Sequence, residues 1–313
     1  MINRAHQLSI HPTMQCDYDC FGCYLKKDEV ASKPERDKEF FLGLVDQAHE
    51  LGMTEIAVPL NYVKKSPDFQ LLDDPSDVWD KVDRNVYLWK WIKERTKMHG
   101  MRFITFVNYD AILSYQNDLD FSDVDLMGIS INDFVTKERV KKNEAIQLFK
   151  DMRSAGVKSL NCNILLTEGI ITQLNNGLAE EILEVADTIY LLMSQPLFIP
   201  LETVYSRIRK LKDSLMTMLN ERVYLDSCIL REMGMTGGAC SRHDMIYVNP
   251  YGEIKKCMYD KEDLYVLKTA EDLKHVYNNL HPQEPLQTCH LVTNGDKLKA
   301  ERDAAKKLKE SVA

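Results

Sequence analysis

The chain has 313 residues, with 40 Lys and Arg against 48 Asp and Glu and a formal net charge of −8. This length fits one large α/β domain with a small appendage, and the acidic balance argues against extensive nucleic-acid binding. The first ten residues carry one Arg and no signal-peptide pattern, and no stretch approaches the roughly 18 apolar residues of a membrane span. We therefore expect a soluble, cytoplasmic protein with no membrane partner, whose eight cysteines serve metal binding or catalysis rather than disulfides.

Short apolar runs alternate with amphipathic stretches along the first two thirds of the chain. The predicted strands are Leu8–Met14, Glu55–Leu60, Arg102–Val107, Leu126–Ile131, Ser159–Leu166 and Thr188–Met193. The predicted helices are Glu35–Leu51, Val86–His99, Lys142–Ala155, Leu178–Ala186 and Leu201–Leu219, three of which stop at Gly52, Gly100 and Gly156. Six βα units predict an α/β fold, a partial (β/α)6 TIM-like barrel with its chemistry at the carboxyl ends of the strands.

The remaining segments differ from this repeat. The loop Asn61–Asp83 is long enough to be a functional lid or else disordered. Val223–Ser227 is a candidate short strand, Asp244–Cys257 a β-hairpin turning at residues 249–252, and Lys297–Ala313 a charged peripheral helix. We predict a barrel domain over residues 1–222, a small hairpin-containing domain over 223–296 and a helical tail over 297–313.

Three thiols follow the first predicted strand at the spacing C-x3-C-x2-C: Cys16, Cys20 and Cys23. A loop of this kind can bind three irons of a [4Fe–4S] cluster and leave the fourth open to a small molecule. The alternatives are a zinc loop, which usually pairs C-x2-C units and closes four ligands, and three unrelated buried thiols.

The segment resembles the signature loop of the radical S-adenosylmethionine (radical SAM) superfamily, in which the loop follows the first strand of a partial barrel. The resemblance implies that S-adenosyl-L-methionine binds the open iron and is cleaved to a 5′-deoxyadenosyl radical that removes hydrogen from a substrate. It also implies a flavodoxin- or ferredoxin-type electron donor. Gly22 stands where the family often has an aromatic residue, and Tyr24 follows the last cysteine. Both are candidate cofactor contacts, Tyr24 by framing the adenine or else by packing against the loop.

Other strand ends supply further candidate cofactor-binding residues. The family's glycine-rich acidic turn after the second strand is absent, so backbone carbonyls or Asn61 would accept hydrogen bonds from the cofactor's amino group. Ser130 and Asn132 share a strand face and resemble the family residues that contact the ribose and methionyl groups. Asn161 and Asn163 also share a face, and as buried amides they need partners that a cofactor or substrate could supply. Cys162, between them, points to the helical shell as a small apolar residue, or else donates a hydrogen atom in catalysis.

Four cysteines remain in the C-terminal part: Cys228, Cys240, Cys257 and Cys289. They surround the predicted hairpin and could complete an auxiliary [4Fe–4S] cluster or a zinc site. The arrangement resembles the twitch domain, or truncated SPASM domain, of radical SAM enzymes.

The reaction is the least determined feature. Only fifteen residues precede Cys16, too few for a fused N-terminal peptide-recognition domain, and we expect this to disfavour slightly an enzyme that modifies peptides on its own. Twitch-type relatives favour a small polar substrate, such as a sugar, cyclitol or nucleoside, for oxidation, epimerisation or rearrangement. The alternatives are modification or epimerisation of a peptide side chain, and a non-catalytic cluster-binding protein. Polar residues near strand ends are weaker candidates, each with a simpler interpretation as a capping or solvated residue: Lys64, Lys65, Asn108, Tyr109, Asp110, Asp133, Glu168, Gln195 and Asp226.

Overall fold

The structure of the chain is a computed structural model. It describes residues 5–17, 33–65, 81–131, 142–166, 168–192, 213, 221–226, 244–255 and 263–281.

Seven parallel strands form the body of one sheet. They are β1 (Gln7–Ile10), β2 (Glu55–Leu60), β3 (Arg102–Asn108), β4 (Leu126–Ser130), β5 (Leu160–Leu165), β6 (Thr188–Leu192) and β7 (Val223–Leu225). Each strand pairs with the next in parallel register. The first six are the strands that the hydrophobic pattern predicts, in the order of a partial TIM-like barrel, and the predicted α/β fold class is confirmed.

A C-terminal hairpin continues the same sheet beyond β1. Strand β8 (Met245–Val248) pairs with β1 in parallel, and β9 (Glu253–Lys255) and β10 (Asp263–Val266) follow in antiparallel order. The ten strands therefore lie in the order β10-β9-β8-β1-β2-β3-β4-β5-β6-β7. The sheet crosses the predicted boundary at residue 222 without a break, while the division into domains stays a prediction.

Seven α-helices lie in the described part of the chain: α1 (Lys38–Glu50), α2 (Lys81–Met98), α3 (Tyr109–Tyr115), α4 (Lys142–Ser154), α5 (Glu168–Gln173), α6 (Ala179–Leu183) and α7 (Asp272–His275). Leu174–Leu178 form a kink between α5 and α6, where Asn176 and Gly177 leave helical geometry. A π-helical turn, Val276–Leu280, extends α7. The predicted helix stops at Gly52, Gly100 and Gly156 are confirmed by their positive φ angles of 78°, 69° and 92°. None of the described helices is long and apolar enough to cross a membrane.

Helix α1 illustrates how the sequence produces a buried helix. The Asp37 carboxylate accepts from the Phe40 backbone N–H at 2.9 Å, which satisfies one free donor of the first turn. Phe41, Leu44, Val45 and Ala48 recur at helical spacing and are fully buried. The helix therefore packs this apolar stripe against β1 and the neighbouring helix α2.

The two faces of the sheet differ in character. On β3, Thr105 and Phe103 face the helices, since the Trp89 indole of α2 donates to the Thr105 hydroxyl at 2.9 Å and packs edge-on against Phe103. Because side chains alternate along a strand, Phe106 points to the opposite, inner face. The strand register then places Gly128, Asn161 and Thr188 level with Phe106 on that inner face. Asn163 and Tyr190 lie on the same face, two residues further along their strands.

Candidate active site at the end of the first strand

Residues 11–17, here called the Cys16 loop, leave the carboxyl end of β1. β1 ends at Ile10, four residues before the predicted Met14, and the chain then turns out of the sheet. The Thr13 hydroxyl, almost fully buried, donates to the Glu35 carboxylate at 3.0 Å and accepts from the Gln15 backbone N–H at 3.1 Å. Arg84 Nε lies 2.8 Å from the second Glu35 oxygen. The first half of the loop is thus fixed by an ion pair on its outer side.

The chain that follows β2 supports the second half of the loop. The Asn61 side-chain amide donates to the Thr13 and Gln15 carbonyls at 2.9 and 3.1 Å. The Asp17 backbone N–H donates to the Tyr62 carbonyl at 2.8 Å. The backbone on both sides of Cys16 is therefore hydrogen-bonded to one neighbouring segment, through the Asn61 side chain before the cysteine and the Tyr62 carbonyl after it.

Cys16 itself is half-buried and is not in a disulfide. The carbonyl oxygen of the neighbouring Gln15 side chain is buried and has no hydrogen-bond partner among the described residues. The Cys16 thiol lies in the loop that leaves the carboxyl end of a barrel strand, a position that fits a thiolate ligand of an iron–sulfur cluster. The nearby Gln15 oxygen could accept a hydrogen bond from an amino or hydroxyl group of a bound molecule.

The other members of the predicted motif lie outside the described residues: Gly22, Tyr24, Cys20 and Cys23. Within the described part of the chain, no group of three or more His, Cys, Asp or Glu side chains is arranged to hold a metal ion. The cluster site as a whole stays a prediction that rests on the cysteine spacing.

His11 is a buried residue of the site that the sequence interpretation missed. Its ring lies edge-on to the Tyr247 ring of β8, with centroids 4.7 Å apart. Burial lowers the pKa of His11 to about 3, so the imidazole is uncharged at neutral pH. A histidine next to a strand end gives no sequence signal of this burial, because the strand that covers it comes almost 240 residues later. Glu35 and Asn85, which support the loop, were also missed, because their partners Thr13 and Asn61 lie 22 and 24 residues away in the chain.

The predicted amide pair lies on the inner face and is partnered within the protein. The Thr188 hydroxyl donates to the Asn161 carbonyl oxygen at 2.6 Å, and the Asn161 amide donates to the Asn163 carbonyl oxygen at 2.9 Å. Both amides are buried. Asn161 therefore needs no partner from a cofactor or substrate, and the side-chain oxygen of Asn163 also has a partner within the protein.

Ser130 ends β4 on the same inner face, between Asn108 of β3 and Asn163 of β5. It is half-buried and already engaged in an interaction within the chain. Asn132, its predicted companion, lies outside the described residues. The structure thus brings Ser130 and Asn163 together at the strand ends, as the alternation of side chains predicts.

Gly128 allows the inner face to close tightly in this region. A Cβ atom at this position would lie 2.6 Å from the Asn163 amide nitrogen and 2.7 Å from Cδ1 of Phe106. These distances are shorter than real carbon contacts, so the Asn163 amide and the Phe106 ring occupy the space that a side chain would fill. Phe106 keeps 39% of its surface exposed on the inner face.

Cys162 lies on the opposite face of β5, within the apolar core. It pairs with Ile129 and Ile189 across the neighbouring strands and has no exposed surface. Burial raises the pKa of its thiol. This position fits the interpretation of Cys162 as a small apolar residue and places its sulfur away from Ser130 and Asn163, which makes a catalytic role hard to support.

Two of the weaker candidates have structural partners. The Asn108 side chain accepts from the Ala111 backbone N–H at 2.7 Å and caps α3. The Lys65 ammonium binds the Asp118 carboxylate and the Ser114 carbonyl, above the Tyr115 ring. Both contacts match the simpler interpretation of these residues.

The C-terminal hairpin is bound firmly to the segment that supports the Cys16 loop. The Lys33 ammonium pairs with Glu253 of β9, and the Arg36 guanidinium donates to the Leu267 and Tyr251 carbonyls at 2.7 and 3.2 Å. The four predicted ligands of the auxiliary cluster lie outside the described residues: Cys228, Cys240, Cys257 and Cys289. The auxiliary cluster therefore stays a prediction.

Comparison with solved structures identifies the architecture. SuiB of Streptococcus suis, bound to its precursor peptide SuiA, matches with a TM-score of 0.59 at 13% identity over 89% of this chain. SuiB bound to S-adenosylmethionine matches with a TM-score of 0.56 at 15% identity over 89% of this chain. The chain has the radical SAM fold.

The radical SAM fold is also that of anSMEcpe with bound AdoMet, which matches with a TM-score of 0.52 at 13% identity over 88% of this chain and 81% of that one. The chain spans 65% and 64% of the two SuiB chains. No protein-family model matches the chain, and no curated protein matches it either.

Proposed function

We propose that the chain is a radical SAM enzyme that binds a [4Fe–4S] cluster through Cys16, Cys20 and Cys23. The observation that carries the proposal is the half-buried Cys16 thiol at the carboxyl end of β1. It is held there by contacts on both sides, in a fold shared with structures that contain S-adenosylmethionine. When bound, the reduced cluster supplies the electron that cleaves S-adenosylmethionine to methionine and a 5′-deoxyadenosyl radical, which takes hydrogen from a substrate.

The residues of the chain have their own tasks in this proposal. The Glu35–Arg84 pair and Asn61 hold the cysteine-bearing backbone in place. Ser130 and Asn163 offer a hydroxyl and an amide at the neighbouring strand ends, where they would orient the cofactor. Because Phe106 on the inner face is 39% exposed, a bound substrate would have to exclude water from reactive intermediates.

The inner face of strands β4–β7 favours a neutral polar substrate. In strands β4–β7 the inner-face residues carry no charge: Leu126, Gly128, Ser130, Asn161, Asn163, Leu165, Thr188, Tyr190, Leu192 and Tyr224. Hydroxyl, amide and aromatic groups of this kind suit a sugar, cyclitol or nucleoside, which makes oxidation, epimerisation or rearrangement of such a molecule the leading proposal. The likeness to SuiB with its precursor peptide supports a second candidate, modification of a peptide side chain.

Anaerobic reconstitution with iron and sulfide tests the class of enzyme. We expect about eight irons per chain if both clusters form, or about four if only the first does, and 5′-deoxyadenosine after reduction with S-adenosylmethionine present. Cys16→Ala should abolish 5′-deoxyadenosine formation. Cys162→Ala, which removes a core thiol of similar size, is the matched control and should keep both iron content and cleavage. Bound zinc without cofactor cleavage would refute the proposal.

The substrate class needs a separate measurement. Deuterated sugars, nucleosides and peptides are each incubated with the reconstituted enzyme, and the deuterium content of 5′-deoxyadenosine is measured by mass spectrometry. Deuterium transfer from a sugar or nucleoside supports the leading candidate, whereas transfer from peptides alone supports the second. The same reaction with added flavodoxin or ferredoxin tests the proposed electron donor.

A further inference from the structure

The Asn61 side chain donates hydrogen bonds to two backbone carbonyls of the Cys16 loop. Asn61, the first residue after β2, uses both hydrogens of its amide, one for the Thr13 carbonyl at 2.9 Å and one for the Gln15 carbonyl at 3.1 Å. Asn61 is 8% exposed, so water replaces these bonds poorly. Two acceptors on either side of Met14 therefore converge on one buried donor group, an arrangement here called the Asn61 clamp.

The clamp is itself rigidly supported. The side-chain amide of Asn85 in α2, a residue with no exposed surface, donates a hydrogen bond to the backbone carbonyl of Asn61 at 2.7 Å. On the far side of Cys16, the Asp17 carboxylate accepts from the Lys64 backbone N–H at 2.7 Å. The chain after β2 and the Cys16 loop are thus joined before and after the cysteine, and the joint rests on a buried helix.

We propose that Asn61 is a positioning residue that presets the Cys16 sulfur for the iron–sulfur cluster, in place of the contact to the cofactor's amino group that the sequence suggests. The inference rests on the proposed function for what the loop holds. The clamp already restricts residues 13–17 in the iron-free chain, so iron binding removes less conformational entropy from them. Its effect therefore precedes S-adenosylmethionine binding and is present in the iron-free chain.

The test compares Asn61→Ala and Asn61→Ser with the wild-type chain and with Thr96→Ala. Thr96 is a buried hydroxyl of α2 that bonds the Ile92 carbonyl at 2.6 Å, so its variant controls for general destabilisation. Asn61→Ser keeps one donor and serves if Asn61→Ala fails to fold, as judged by far-UV circular dichroism. Three properties are measured without S-adenosylmethionine: amide hydrogen exchange over residues 14–17 of the iron-free chain, the rate of cluster assembly, and the EPR spectrum and midpoint potential of the reduced cluster.

We expect Asn61→Ala to speed exchange at residues 14–17 by on the order of tenfold relative to Thr96→Ala, and Asn61→Ser by less. Cluster assembly should slow, and the EPR spectrum should broaden or the midpoint potential shift. The proposal is overturned if exchange and assembly match the control, and equally if the variants change only the EPR response to added S-adenosylmethionine. If the wild-type chain binds no cluster, the proposed function fails, whereas the exchange measurement still decides whether the clamp exists.

Discussion

Tyr115 offers a direct measurement of how strongly the segment after β2 is held. Its hydroxyl accepts from the Val63 backbone N–H at 3.0 Å and donates to the Val63 carbonyl at 2.9 Å, and the residue has no exposed surface. Tyr115→Phe removes one oxygen and leaves a donor and an acceptor of the backbone buried without partners. Each such group costs about 1–3 kcal/mol, so we expect a loss of about 2–6 kcal/mol in the free energy of unfolding.

Alkaline pH provides a second measurement, which reports the burial of the Tyr115 hydroxyl. Burial raises the pKa of Tyr115 to about 12, against about 10 in an unfolded chain. The folded protein therefore keeps the proton that the unfolded chain loses, and stability that is fully present below pH 10 falls as the pH rises towards 12. Two pKa units correspond to about 2.7 kcal/mol, a contribution to the pH dependence that Tyr115→Phe should lack.

Urea unfolding of the iron-free chain, followed by circular dichroism at neutral and alkaline pH, measures both effects. Tyr224→Phe is the matched control, because the Tyr224 hydroxyl bonds the Glu221 carbonyl at an exposed site; its loss should be under about 0.5 kcal/mol. If Tyr115→Phe unfolds like this control, the Val63 backbone is satisfied by water and the segment is not held as described.

Three further predictions concern Gly128 on the inner face, the ion pairs of Asp125, and the buried thiol of Cys162. Gly128→Ala should destabilise the fold by about 1–3 kcal/mol in urea unfolding because the added Cβ meets Asn163. Gly169→Ala, where the added Cβ meets open space, should be neutral or stabilising. If both variants change the free energy of unfolding equally, the close packing at Gly128 is contradicted. Burial alone would raise the pKa of Asp125, but hydrogen bonds from Lys97, Lys158 and the backbone outweigh it and lower this pKa. Asp125→Asn should therefore reduce the free energy of unfolding at pH 7, and this difference from the wild type should vanish as the pH falls below about 4. A difference in stability that persists at pH 2 would contradict this prediction. Iodoacetamide at pH 8 should label Cys16 in the folded iron-free chain and spare Cys162, with mass spectrometry as the readout and full labelling in urea as the reference.

The strand order was predictable from sequence because the strands of a barrel are short apolar runs between amphipathic helices. β2 has the predicted bounds of Glu55–Leu60. Helix α2 begins at Lys81, five residues before the predicted Val86. Its first turns are polar, and two of their residues, Arg84 and Asn85, are held by tertiary contacts to Glu35 and Asn61 that no local pattern reveals. Helix α3 and strand β10 were missed, since each is short and lacks a clear apolar period.

The candidate site was predictable as a set of faces and strand ends rather than as a set of contacts. Alternation along β5 predicts correctly that Asn161 and Asn163 share a face, but their bonding to each other and to Thr188 depends on the register with β6. Asn61 was singled out because it stands where the family has a different turn. Its actual partners, two carbonyls 46 and 48 residues earlier in the chain, follow only from the three-dimensional arrangement.

The pairing of β8 with β1 has a consequence for how the protein is made. The ribosome synthesises β1 (Gln7–Ile10) long before its partner strand, Met245–Val248, emerges. Until then the backbone of β1 has one unpaired edge, and His11, which leads into the cysteine-bearing turn, lacks its bond to Val248. For the cluster proposed above, we therefore expect assembly to follow translation, and nascent chains stalled before residue 245 to acquire no stable metal.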